Sequence, residues 1–116
     1  MGQRFCLALD LVGEAEAIAA YEAWHRPGGV PAGVLASIRD AGIDEMEIFR
    51  IGNRLVMIID ATDDFDFDRK AAMDAANPAV IDWEERMLAY QRPVSAAPAG
   101  EKWARMASIF KLTAHP

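Results

Sequence analysis

Bulky apolar residues alternate with small or polar ones at the start of the chain. Phe5, Leu7, Leu9 and Leu11 fall on one side, and Cys6, Ala8 and Asp10 on the other. A period of two with one bulky face predicts a half-buried strand over residues 3–11. The spacing then lengthens. Residues 14–25 are rich in Ala and Glu, and Ile18, Tyr21 and His25 recur at helical intervals. Pro27-Gly28-Gly29 ends that helix. A second helix is expected over about 31–41, carrying Val34, Leu35 and Ile38 and stopping at Gly42. Two β-prone apolar runs, 44–51 and 54–61, flank Gly52-Asn53 and read as a tight hairpin.

The second half repeats the helical period. The acidic run Asp63-Asp64-Phe65-Asp66 suits the positive end of a helix dipole and opens a helix. Asn77-Pro78 interrupts it and starts another, about 79–90. A Pro/Ala/Ser/Gly loop covers 92–100, and a last strand is expected over about 102–112. The order is β–α–β–β–α–β with two helical pieces in each α slot. That predicts an α+β, ferredoxin-like fold, a four-stranded antiparallel sheet with helices on one face. The other sheet face is left bare, and a second subunit packed face to face in a symmetric dimer would cover it.

Composition narrows the class of protein. A length of 116 residues suits one domain spanning 1–116, and 53% hydrophobic with 26% charged residues is ordinary for a soluble globular chain. No apolar run approaches the ~20 residues of a membrane helix, and the first residues enter a strand pattern without a signal-peptide layout, so a cytoplasmic protein is expected. One cysteine, Cys6, excludes an internal disulfide framework and a Cys-rich zinc site. A net charge of −6 with scattered basic residues disfavours nucleic acid and anionic membranes as partners. A neutral small molecule or another protein chain suits this surface better.

Three groups of residues could carry chemistry. Tyr21 and His25 are one helical turn apart, and a His with an ordinary pKa near ~6.5 can move protons at neutral pH. The same pair could be a helix-end His capping carbonyls beside a core Tyr. Trp83, Met87 and Tyr90 form either a core stripe or an aromatic platform for the apolar C–H face of a sugar. Asp82, Glu84 and Glu85 flank that Trp, as a solvated helix face or as acceptors for sugar hydroxyls. Residues 63–68 lack the ligand spacing of a Ca²⁺ loop, and His115 lies in a tail. No metal-ligand cluster, phosphate loop or nucleophile elbow is present in the sequence.

Taken in order over nearly the whole chain, a set of segments resembles the L-rhamnose mutarotase family of small dimeric ferredoxin-like proteins, and within it the L-fucose mutarotase-like members. These segments are Arg4 to Leu11, Tyr21-x-x-x-His25 with Pro27-Gly28-Gly29-Val30, Met46 to Arg50, Gly52-Asn53-Arg54-Leu55, Arg69 to Pro78, Trp83-Glu84, Gly100 to Trp103 and Ile109 to Leu112. The resemblance implies interconversion of the α and β anomers of a 6-deoxy-L-hexose, through acid–base ring opening that needs no redox step and no cofactor. It assigns His25 as the catalytic acid/base and Tyr21 to the site, with Trp83 on the sugar ring. Met46 and Glu84 stand where rhamnose-type members carry a Tyr and a second Trp, which favours L-fucose over L-rhamnose and adds both residues to the expected substrate-binding set. It also implies a monosaccharide substrate and a homodimer.

One family feature is missing. The Trp-Pro-Glu that opens the second helix in the family falls on Pro31-Ala32-Gly33 here. Trp and Glu at positions 31 and 33 would restore it. Its loss motivates an alternative function, a catalytically weakened member that binds a sugar or a partner without turnover. A third reading, a cofactor-free oxygenase on the same architecture, rests on fold analogy alone.

Overall fold

A computed structural model describes residues 2–116. Strand β1 (Gln3–Leu11) leads into helices α1 (Ala15–Trp24) and α2 (Ala32–Asp40), then the hairpin β2 (Ile43–Ile51) and β3 (Arg54–Ala61). Helices α3 (Phe67–Ala75) and α4 (Pro78–Met87) follow, then two short strands, β4 (Gln91–Arg92) and β5 (Ala104–Arg105). The sheet order is β2-β3-β1-β4, with β5 also on β1, and every pairing is antiparallel. This is the expected α+β, ferredoxin-like arrangement, with two helices in each α slot.

Local chemistry sets the boundaries. Gly52, at φ 57°, takes the left-handed backbone that the tight β2–β3 turn requires. The acidic run does start a helix: the Asp66 side chain accepts hydrogen bonds from the backbone N–H groups of Asp68 and Arg69. Asn77 caps α4 through the N–H of Ala79, with Pro78 at the first helical position.

The last strand departs from expectation. Over 102–112 only Ala104–Arg105 is strand, opposite Leu7 and Ala8 on β1. The far end of the same β1 edge is taken by Gln91–Arg92, opposite Asp10 and Leu11. The fourth strand position is thus shared by two short pieces. Between them runs a loop whose Pro93 and Pro98 have no N–H to give a ladder. The N–H of Met106 donates to the Cys6 carbonyl at 2.8 Å, and beyond it the chain leaves the sheet. Ile109 is 96% exposed, and Phe110 and Leu112 are exposed with it.

Register sorts the two sheet faces. Leu7 lies opposite Met57 and Leu9 opposite Leu55, and all four are buried beneath the helices. Cys6 lies opposite Ile58, and Ala8 opposite Val56, on the face away from the helices. The core has two halves. One gathers Ile43, Met57, Ile59 and Phe65 with Phe5 and Phe67; the other gathers Leu11, Tyr21, Val34, Leu55, Trp83 and Met87. Ile38, Ile48 and Trp103 touch both. Among the described residues no helix is long and apolar enough to cross a membrane.

Candidate active site

Sheet and helices line an open cavity of about 820 Å³. Its floor is the apolar sheet face, with Leu7, Met46, Ile48, Met57 and Ile59. Its roof is formed by Tyr21, Val34, Val80, Trp83 and Met87 from the helices. Apolar floor and roof meet polar and charged residues in the wall, among them His25, Ser37, Glu84, Gln91 and Lys102, a combination that suits a polar small molecule with an apolar face.

His25 is the residue that ends α1, and its ring folds back along the helix. Nδ1 lies 2.7 Å from the backbone carbonyl of Tyr21. A carbonyl only accepts, so Nδ1 carries the proton and Nε2 keeps its lone pair in the neutral ring. Tyr21 therefore orients His25 through its main chain, and its hydroxyl remains available for other work. The two rings lie 4.2 Å apart, and Trp83 stands edge-on to His25 at 5.3 Å. Burial pushes the His25 pKa below its ordinary value, partly offset by the Tyr21 carbonyl. Burial also drives the Tyr21 phenol up to about 12, opposed by the Gln91 amide and helped by the Glu84 charge. Near neutral pH the site holds an uncharged imidazole with a free Nε2 beside a phenol that keeps its proton.

Neighbours hold this group in place. Trp24 packs edge-on against Trp83 at 6.1 Å, and its indole N–H donates to the Tyr90 hydroxyl at 3.2 Å. The Arg86 guanidinium covers the Trp24 ring at 5.5 Å. These contacts fix the end of α1 against α4 and so fix His25 relative to Trp83.

All five residues expected from sequence line this one cavity: His25, Tyr21, Trp83, Met46 and Glu84. Glu84 is not a free carboxylate, because Lys102 pairs with it from the segment before β5. Three further lining residues, Gln91, Lys102 and Trp103, come from the two short strands or their flanks, where no periodicity singles them out. Pro31 precedes α2, and Gly33 lies in its first turn with α4 beside it: a Cβ built on Gly33 would sit 2.9 Å from the Ala79 Cβ. Val30, Val34 and Trp103 line the same cavity as His25, and Pro31, Ala32 and Gly33 do not. Any side chain at position 33, a restored Glu included, requires α2 and α4 to shift apart there. Among the described residues no group of three His, Cys, Asp or Glu is placed to hold a metal ion.

Comparison with known proteins settles the family. The profile of L-rhamnose mutarotase matches residues 4–112. The chain belongs to the L-rhamnose mutarotase family. Membership makes it a carbohydrate enzyme of the isomerase type, a sugar mutarotase. It is 46% identical over 111 residues to an L-fucose mutarotase of Xanthomonas campestris pv. campestris, covering 96% of this chain and 89% of that protein. A UPF0734 protein of Dictyostelium discoideum is 30% identical over 115 residues, covering 93% and 88%. Among solved structures, an L-rhamnose mutarotase from Formosa agariphila superposes with a TM-score of 0.67 at 18% identity, covering 95% of this chain and 98% of that one. Tetracenomycin F2 cyclase from Streptomyces glaucescens gives a TM-score of 0.64 at 19% identity, covering 94% and 95%. Likenesses this distant in sequence speak for the ferredoxin-like fold alone.

Proposed function

We propose that this mutarotase acts on a 6-deoxy-L-hexose, with L-fucose favoured over L-rhamnose, and that His25 is its acid/base. The observation that carries the mechanism is the Nδ1 contact to the Tyr21 carbonyl, which leaves Nε2 of a neutral ring free at the cavity. In this mechanism Nε2 takes the proton of the anomeric hydroxyl as the bond from C1 to the ring oxygen breaks. C1 becomes an aldehyde, and the ring oxygen takes the proton back from the imidazolium. Rotation about the C1–C2 bond presents the other aldehyde face, and the same steps in reverse close the ring. His25 serves as base and then as acid, and no charge is left behind. The Tyr21 phenol keeps its proton at neutral pH, so it donates a hydrogen bond to the negative charge growing on the ring oxygen. Trp83 packs on the apolar ring face.

L-fucose is favoured by the 46% identity to the Xanthomonas enzyme named for that sugar, and by Met46 and Glu84 at positions where a Tyr and a Trp mark the rhamnose type. The test is saturation-transfer NMR of the anomeric protons with L-fucose, L-rhamnose and D-glucose. Accelerated exchange, greatest for L-fucose, is expected. Exchange no faster than buffer for all three would sink the function, and saturable binding without exchange would identify a binding module instead.

The bare sheet face supports a homodimer, the assembly we propose. It carries Cys6, Ala8, Val56, Ile58 and Phe49, with the ion pairs Arg4–Asp60 and Arg54–Asp10, each at 2.8 Å, at its two ends. Light scattering on the purified protein is expected to give twice the 12.7 kDa chain mass. A monomer at micromolar concentration would reject the dimer.

A further inference from the structure

The ion pair between Glu84 and Lys102 lies at the cavity and takes no part in the chemistry described above. Glu84 follows Trp83 on α4, and Lys102 precedes Trp103 in the segment before β5. All four residues line the cavity. The Lys102 ammonium donates to Oε2 of Glu84 and ties α4 to that segment. Lys102 keeps 27% and Glu84 49% of its side-chain surface in contact with solvent. Ion pairs this open to water add little to stability. The two segments are joined without it, because Trp103 packs against the core cluster that holds Trp83.

Each member of the pair has bonding capacity left over. An ammonium carries three N–H donors, and among the described residues Lys102 donates to Glu84 alone. A carboxylate accepts at both oxygens, and Glu84 engages only Oε2. The cavity is thus offered a donor and an acceptor side by side, the complement of two neighbouring sugar hydroxyls. His25 and Tyr21 work on the C1 hydroxyl and the ring oxygen, which every aldopyranose has, so they cannot tell one sugar from another. L-fucose and L-rhamnose differ at C2 and C4. The C2 hydroxyl adjoins C1, whereas the C3–C4 edge lies directly across the ring from the bond that breaks. A sugar with that bond at His25 therefore turns its C3–C4 edge to a different part of the wall. We propose that Lys102, held by Glu84, is a specificity-determining residue, and that the two together clasp the C3 and C4 hydroxyls of the sugar and select the configuration at C4. This role rests on the mutarotase reading, because it names the sugar edge left over once C1 is placed at His25.

The test compares anomer exchange of L-fucose with that of 6-deoxy-L-glucose, which differs from it at C4 alone. Wild type should prefer L-fucose. Lys102→Met keeps an unbranched side chain and removes the N–H donors. Its KM for L-fucose should rise about tenfold, as expected for a lost hydrogen bond to a charged group. Its kcat should stay within about twofold, because the contact is the same before and during ring opening. Its KM for 6-deoxy-L-glucose should move less than about twofold, so the preference shrinks. Lys102→Arg keeps charge and donors and should recover most of the L-fucose KM. Should Lys102→Met fail to fold, Glu84→Gln removes the charge that holds the ammonium and should raise KM with the same selectivity. An L-fucose KM within about twofold of wild type in folded Lys102→Met would overturn the contact. An equal rise for both sugars would overturn the C4 role, and a fall in kcat at steady KM would overturn the binding role. Wild type that exchanges neither sugar would overturn the mutarotase reading and this role with it, whereas an active wild type with an unmoved Lys102→Met overturns this role alone.

Discussion

Replacing Gly33 by Ala tests how tightly the roof of the cavity is locked. The new Cβ would lie 2.9 Å from the Cβ of Ala79. Carbon–carbon contacts are best at about 3.5–4.0 Å, so α2 and α4 must part by roughly 0.6–1.1 Å. Forcing a methyl into a packed seam costs about 1–3 kcal/mol. Ala is preferred to Gly inside a helix by up to about 1 kcal/mol, and less at the second residue of α2, where Gly33 lies. The balance is a loss of about 1–2 kcal/mol. For a chain of this size that lowers the melting temperature by about 4–8 °C, read by calorimetry or chemical denaturation. The control is Ala79→Gly in the same background. Removing the opposing methyl should make the double variant more stable than the two single effects summed, by about 1 kcal/mol. A Gly33→Ala protein as stable as wild type, or effects that add without coupling, would show that the helices separate freely. The argument that a side chain at position 33 must force α2 and α4 apart would then fail.

Two further outcomes follow from the site and the helix caps. Burial holds the His25 pKa below 6.5, so the acid limb of kcat/KM should have its midpoint below pH 6.5. The unfolded chain takes up that proton first, so stability from this group is intact above about pH 6.5 and is lost as pH falls toward the lower folded value; pH-dependent denaturation of wild type against His25→Asn reads the difference. Asp66→Ala removes the acceptor for two N–H groups at the start of α3, and should cost about 1 kcal/mol in denaturant titration while leaving anomer exchange unchanged.

The parts of this fold that the sequence announces are those held by a repeating period or by a local turn or cap. The Leu7-Leu9-Leu11 alternation, the Gly52-Asn53 turn and the Asp66 and Asn77 caps each act within a few residues, and each produced the expected element. The last strand was harder to read because its extent is set by competition for one edge of β1. Gln91–Arg92 occupies part of that edge, and the pattern over 102–112 carries no trace of this. The same limit applies to the site. Tyr21, His25 and Trp83 sit on helices with a readable face, and the structure brings them to one cavity with Met46 and Glu84. Gln91, Lys102 and Trp103 reach it from short irregular segments, where only tertiary packing decides direction. Glu84 looked like a free acceptor because its partner Lys102 lies 18 residues further along the chain.

The central claim is that His25 Nε2 moves the proton. Asn at position 25 places an amide N–H where the His25 Nδ1–H donates to the Tyr21 carbonyl, and removes Nε2. Saturation-transfer NMR of L-fucose anomers, with wild-type and His25→Asn protein at equal concentration, measures the consequence directly. The expected result is rapid exchange with wild type and a rate lower by about 10²–10⁴-fold with the variant, both proteins folded. A His25→Asn protein that exchanges the anomers within a few-fold of wild type would contradict it.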